Sequence, residues 1–304
     1  MRRVDSGQKT YTRKIGLADT LRAAGPYADH ILIGESNHEN PDILNALYGK
    51  EALVTYAEVG TTDLYLEIHT KNQPAIDKLA SGKISTREEF TQALKDSGMY
   101  LNDTIEDRAL VDQLYTTTTM ASKLGISVHC GDHGNGFDEM KKSMLANAQF
   151  ALEIITSEEN IEAERAFHKA RTNDSQTAEF MNATSQGKSI AIWGAAHGEQ
   201  KDDWDEKLKG TAIKIDIYAS REDYAKAMEE RKQINERLGM NIGEDPPEMV
   251  YFIKEGELRI SDKTPNAIRL AVNEASSPLE IQIATQDIPR NPTSTAPSPS
   301  PLNL

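Results

Sequence analysis

Five short apolar runs, separated by stretches of helical periodicity, constrain this chain more than any other feature. They are Ile31-Leu32-Ile33-Gly34, Asp63-Leu64-Tyr65-Leu66-Glu67-Ile68, Ile126-Ser127-Val128-His129-Cys130, Ser189-Ile190-Ala191-Ile192-Trp193-Gly194 and Ala212-Ile213-Lys214-Ile215-Asp216-Ile217. Apolar runs of this length read as strands buried on both faces, and strands alternating with helices pair in parallel through crossover helices. The expected fold is therefore α/β: a mainly parallel central sheet flanked by helices, its core over residues 29–219. The fifth run alternates apolar with charged residues, which predicts a strand nearer the sheet edge.

Local signals punctuate the helices. Asn40-Pro41 places an N-cap before a proline at the first helical position, and Leu44, Leu47 and Tyr48 give that helix an apolar face. Ser85 and Glu88 have capping-box spacing, and a helix over residues 109–124 stops at Gly125. The run Thr116-Thr117-Thr118-Thr119 reads as one face of that helix. A long helical stretch over residues 138–185, broken near Thr156-Ser157, ends at Gly187. Ser220 caps a charged helix to residue 238. A hairpin is expected around Glu255-Gly256, and a short helix over residues 265–274. Residues 288–304 are rich in Pro, Ser and Thr and read as a disordered tail behind a single domain of residues 1–287.

Composition excludes several classes. With 34 Lys+Arg against 48 Asp+Glu, the net charge of −14 lacks the basic footprint that nucleic-acid binding requires. One cysteine, Cys130, rules out an intrachain disulfide and any Cys-based zinc knuckle, and reads as a small buried hydrophobe. No stretch reaches the about 18 uncharged apolar residues of a membrane span. The basic start, Met1-Arg2-Arg3, has no apolar segment behind it. The expectation is a soluble protein, cytoplasmic or exported by a route that leaves no N-terminal mark.

Four of the runs are followed within a few residues by histidine: Gly34-Glu35-Ser36-Asn37-His38, Glu67-Ile68-His69, His129-Cys130-Gly131-Asp132-His133 and Gly194-Ala195-Ala196-His197. In a parallel sheet these strand ends share one edge, and that carboxyl edge is where ligands bind. Of the seven histidines only His30 and His168 fall outside the pattern, and His129 alternates away from Val128 and Cys130 as a core or interface side chain would. Glu67 ends an otherwise apolar strand, where a carboxylate is costly unless paired; Arg171 is the candidate partner. Carboxylates, arginine and imidazoles together can activate water and hold an oxyanion, or support a divalent metal through mixed N/O ligands. The chain has no His-Glu-x-x-His pair, Gly-x-Ser-x-Gly elbow or Walker loop.

Four pieces of the chain resemble one superfamily, which groups erythromycin-esterase-like enzymes, ChaN-type haem-uptake proteins, the TraB and Tiki proteins and a module of the Pasteurella dermonecrotic toxin. ILIGESNHENPD (residues 31–42) is similar to the first motif, LYLEIHTKNQPAIDKLASG (64–82) to the ChaN second strand, residues 171–186 to the TraB/Tiki helix that begins with arginine, and IAIWGAAH (190–197) to the closing Gly-x-x-His. The resemblance implies a mixed α/β fold with its site at one sheet edge. It matches Glu35, His38, Glu67, Arg171 and His197 to functional positions. One departure is that Gly34 to His38 is Gly-Glu-x-x-His, the esterase spacing, whereas Gly194 to His197 keeps the shorter Tiki and ChaN spacing; the mixture leaves the subfamily open.

The expected function is a hydrolase of small-molecule or peptide substrates. His38 would be general base or metal ligand, Glu35 its positioning group, Glu67 an orienting or acid/base partner, His197 a second imidazole, and Arg171 the stabiliser of negative charge. A divalent metal would draw on His38, Glu67, His133 and His197. One alternative is a ChaN-type haem or porphyrin binder, with His69 and His133 as cofactor ligands. The other is a bacterial toxin or effector module.

Overall fold

A computed structural model of the chain describes residues 10–133, 161, 162, 164–166, 168, 174–195, 207–240 and 247–276. Its strands are β1 (Thr10–Lys14), β2 (His30–Glu35), β3 (Thr61–His69), β4 (Ser127–Asp132), β5 (Lys188–Gly194), β6 (Ala212–Tyr218), β7 (Met249–Phe252) and β8 (Glu257–Ser261). They form one eight-stranded sheet in the order β1-β8-β7-β6-β2-β5-β3-β4. The run from β7 to β4 is parallel throughout, and β8 and β1 add an antiparallel edge. The mainly parallel α/β sheet expected from the five apolar runs is the fold observed.

Helices cover both faces. On one face pack α1 (Leu17–Ala24), α2 (Pro41–Tyr48), α3 (Lys50–Glu58), α4 (Gln73–Ala80), α5 (Arg87–Asp96), α6 (Ile105–Lys123) and, after β8, a helix at Asn266–Ala275. They meet the side chains of Ile31, Ile33, Leu64, Leu66, Cys130, Ile190, Ile192, Ile215 and Ile217 in the main core. On the other face, α7 (Ser175–Thr184) packs Ala178 and Met181 against Leu32, Tyr65, Ala191 and Trp193. Beside it, α8 (Arg221–Leu238) covers Tyr218, Val250 and Phe252. All six residues of β2 are buried, as a central parallel strand covered on both faces requires. Among the described residues no helix is long and apolar enough to cross a membrane.

Local signals hold with some shifts. Asn40 caps α2, its side chain accepting from the Asp42 and Ile43 amides, and Ser220 caps α8. The capping box of α5 is Thr86 with Glu89, one residue later than the Ser85–Glu88 spacing suggests. Glu89 Oε2 accepts from both the Ser85 and Thr86 amides, so Ser85 sits just outside the cap. The helix expected from residue 109 starts at Ile105, under a capping box of Thr104 and Asp107. Consecutive helical residues are about 100° apart, so the four threonines do not share a face; only Thr117 and Thr118 are buried.

One expectation about the sheet needs correction. β6 is an interior strand between β7 and β2, not one near the edge. Its alternating charges, Lys214 and Asp216, lie under the second helical layer and pair with each other at 3.4 Å. The C-terminal hairpin, correctly placed around Glu255-Gly256, extends the main sheet because β7 pairs in parallel with β6. Most of the 138–185 stretch and the 288–304 tail lie outside the described residues.

Candidate functional site

The ends of β2, β5 and β3 lie side by side, and Glu35 and Glu67 reach the end of β5 from either side. Glu35 pairs with Gly194 across the β2–β5 register, and its carbonyl accepts the Ala195 amide at 2.8 Å. From the other side, Glu67 Oε2 accepts the Gly194 amide at 2.8 Å. Glu67 reaches that position from a β-bulge: between Leu66 and His69, β3 spends three residues where β4 spends two. Bulges re-aim side chains next to functional sites in this way.

Glu35 is 5% exposed, on the face covered by α2. Its Oε1 accepts from His38 Nδ1 in a short contact and from the Tyr48 hydroxyl at 3.4 Å. Oε2 is buried without a hydrogen-bond partner. The His38 side chain is 60% exposed, so a buried carboxylate holds an imidazole that faces solvent. With Nδ1–H donated to Glu35, the nitrogen that can take up a proton is Nε2. Burial, and then the charges of Glu35, Tyr56 and Glu67, push the Tyr48 phenol well above its ordinary value, so Tyr48 stays a hydrogen-bond donor.

The remaining sequence candidates divide. His69 accepts the Lys71 amide on Nδ1 at the 3-10 turn after β3, and aligns with Asp132 across the β3–β4 pairing. His133 follows β4, three strand spacings or about 14 Å of backbone from β2. Its ring stands edge-on to Phe180 at 5.4 Å, with Nε2 buried and unpartnered. Arg171 and His197 lie outside the described residues, as does any pairing of Glu67 with Arg171. Among the described residues, no three of His, Cys, Asp and Glu gather as metal ligands. His38 backed by Glu35 nonetheless has the carboxylate–histidine arrangement that supports a metal-ligating imidazole.

Two other histidines are structural. His30 is satisfied on both nitrogens, by Ser189 Oγ at 2.7 Å and the Lys209 carbonyl at 2.9 Å. His129 donates from Nε2 to Asp63 at 2.8 Å and stacks on Tyr65. Cys130 is buried among apolar neighbours, and burial pushes its thiol up to about 12.

Sequence reasoning missed Tyr48, which reads as part of an apolar helix face, and the pair Lys214–Asp216, whose only signal is charge inside an apolar strand. Lys214 Nζ lies 3.3 Å from the Ala195 carbonyl, so the turn after β5 is tied to Glu35, Glu67 and Lys214 together.

Fold and site thus define an α/β protein with a carboxylate–imidazole cluster at the carboxyl edge of its sheet. No protein-family model and no curated protein matches the chain. Among solved structures, the type III effector HopBA1 aligns with 71% of this chain and 89% of its own, at 16% identity and a TM-score of 0.39.

Proposed function

We propose that the chain is a hydrolase in which His38 is the general base. The observation that carries this reading is the contact between buried Glu35 and exposed His38. A carboxylate behind Nδ1 fixes the tautomer, orients the ring and stabilises the imidazolium formed when Nε2 takes a proton. In the proposed reaction, His38 Nε2 takes a proton from water and the oxygen attacks the carbonyl carbon of an ester, lactone or amide. The same proton is returned to the departing oxygen or nitrogen. Glu67 holds the Gly194 amide and presents a second carboxylate to the cleft. A divalent cation, if one is used, would find donors in His38 and Glu67 and would add Lewis acidity at the substrate carbonyl. The substrate is a small molecule or peptide, and the −14 charge speaks against nucleic acid.

The test is turnover of a panel of esters, lactones and peptides by the full chain and by His38→Ala and Glu35→Gln. Loss of a positioned general base lowers the rate by about 10²- to 10⁴-fold. Full activity in both variants removes the assignment.

A further inference from the structure

β2 and β6 are parallel neighbours, yet the chain leaves them on opposite faces of the sheet. After β2 it enters α2, whose Ile43 and Leu47 pack on the face carrying Ile31 and Ile33. After β6 it enters α8, whose Tyr224, Ala227 and Met228 pack on the face carrying Tyr218. Where the loops of adjacent parallel strands part in this way, a crevice opens at the carboxyl edge, and open α/β sheets bind ligands in such crevices. A cavity of about 170 Å³ lies there. That is room for about five or six waters, roughly the bulk of one sugar ring.

Ser36, Asn37 and Asn40 form one wall, on the loop that also carries His38. The Asn37 carbonyl oxygen already accepts the Glu39 amide, and that of Asn40 accepts the Asp42 and Ile43 amides. Both side chains therefore offer their NH₂ groups as donors. The opposite wall, on α8, holds Asp223, Lys226 and Glu230, with Lys226 Nζ 3.8 Å from Glu230. An anion here would face two carboxylates, and a cation would face a lysine and two amide donors; an alkyl group would meet Ile43, Tyr218, Ala219 and Ala227 on the floor but would desolvate the polar walls without return. A neutral group rich in hydroxyls can both donate to the carboxylates and accept from the amides and the ammonium.

We infer that this cavity is a subsite for a neutral, hydroxyl-rich group, a sugar ring or comparable polyol, on the substrate whose scissile bond meets His38. The role of the subsite rests on the hydrolase reading, whereas its occupancy can be measured without turnover.

The experiment titrates the ¹⁵N-labelled full chain separately with methyl glucoside, methyl galactoside, glycerol, acetate, ethylammonium and butanol, and follows amide shifts. Saturable shifts at Asn37, Asn40 and Ala227 are expected from at least one of the three polyols and from none of the other probes. Ala227→Trp, which fills the cavity, should abolish them, and His38→Ala should retain them. Should Ala227→Trp not fold, Asn37→Ala at the exposed rim should weaken polyol binding about threefold to tenfold, the worth of one hydrogen bond. Shifts from acetate, ethylammonium or butanol, or no shift from any polyol, overturn the inference. Polyol binding without turnover of any substrate would count against the hydrolase alone, and turnover without polyol binding against the subsite alone.

Discussion

The Asp216 carboxylate packs against the Cα of Gly34, its partner in the β2–β6 register, one residue before Glu35. A Cβ on residue 34 would overlap Asp216 Oδ1 and lie 3.0 Å from the Ala195 Cα. The glycine of the Gly-Glu-x-x-His segment is therefore required by a fully buried carboxylate about 180 residues further along the chain. Gly34→Ala should destabilise the protein by about 1–3 kcal/mol, the usual range for overpacking, as read from urea midpoints. In an Asp216→Ala background the same substitution should be less damaging. An unchanged penalty in that background would contradict the packing account.

Asp63 gives stability a dependence on acid. Burial opposes its ionisation, but hydrogen bonds from His129, Thr62 and the Gln186 amide, at 2.8, 2.7 and 2.9 Å, outweigh that and hold its carboxyl below the ordinary value. A carboxyl whose folded pKa is depressed adds stability above its unfolded value, about 3.9, and loses it as pH falls through the folded value. The stability difference between wild type and Asp63→Asn should therefore be full near neutrality and shrink below about pH 4. A difference independent of pH would show that the hydrogen bonds do not favour the charged form.

The Gly194 amide should report on Glu67. Glu67→Gln keeps an acceptor for it, whereas Glu67→Ala removes the partner seen at 2.8 Å. Hydrogen exchange at Gly194 should accelerate in Glu67→Ala and stay near wild type in Glu67→Gln. Equal exchange in all three proteins would mean that this bond does not hold the end of β5.

Cys130 should be inert while the chain is folded. The residue is 1% exposed, and burial pushes its thiol up to about 12. Alkylation by iodoacetamide at about pH 8, where a free cysteine is partly thiolate, should follow global unfolding. Rapid labelling in native buffer would place Cys130 in an accessible setting instead.

The central strands were legible because residues such as Ile31 and Ile33, or Ile190 and Ile192, must leave water in any compact state. β6 reads as an edge strand because Lys214 and Asp216 look like a solvent face until the chain pairs them inside. β1, with the sequence Thr-Tyr-Thr-Arg-Lys, carries no local strand pattern; its pairing with β8 is a contact over about 250 residues of sequence. In the site, Glu35 and His38 stood out because a glycine, an acid and an imidazole follow a buried strand within a few residues. Tyr48 did not, since nothing local separates a phenol on an apolar helix face from a plain core residue.

By itself the sequence determined the central strands, the C-terminal hairpin, and the sheet edge to which Glu35, His38 and Glu67 lead. These follow from local periodicity and from the one direction shared by parallel strands. Only the tertiary structure decided that β5 inserts between β2 and β3, which brings Glu67 to the Gly194 amide and the Glu35 carbonyl to the Ala195 amide. It also decided that β2 and β6 send their chains to opposite faces and open a crevice walled by the loop that carries His38. Strand order and loop direction are set by packing between distant segments, and no local pattern encodes them.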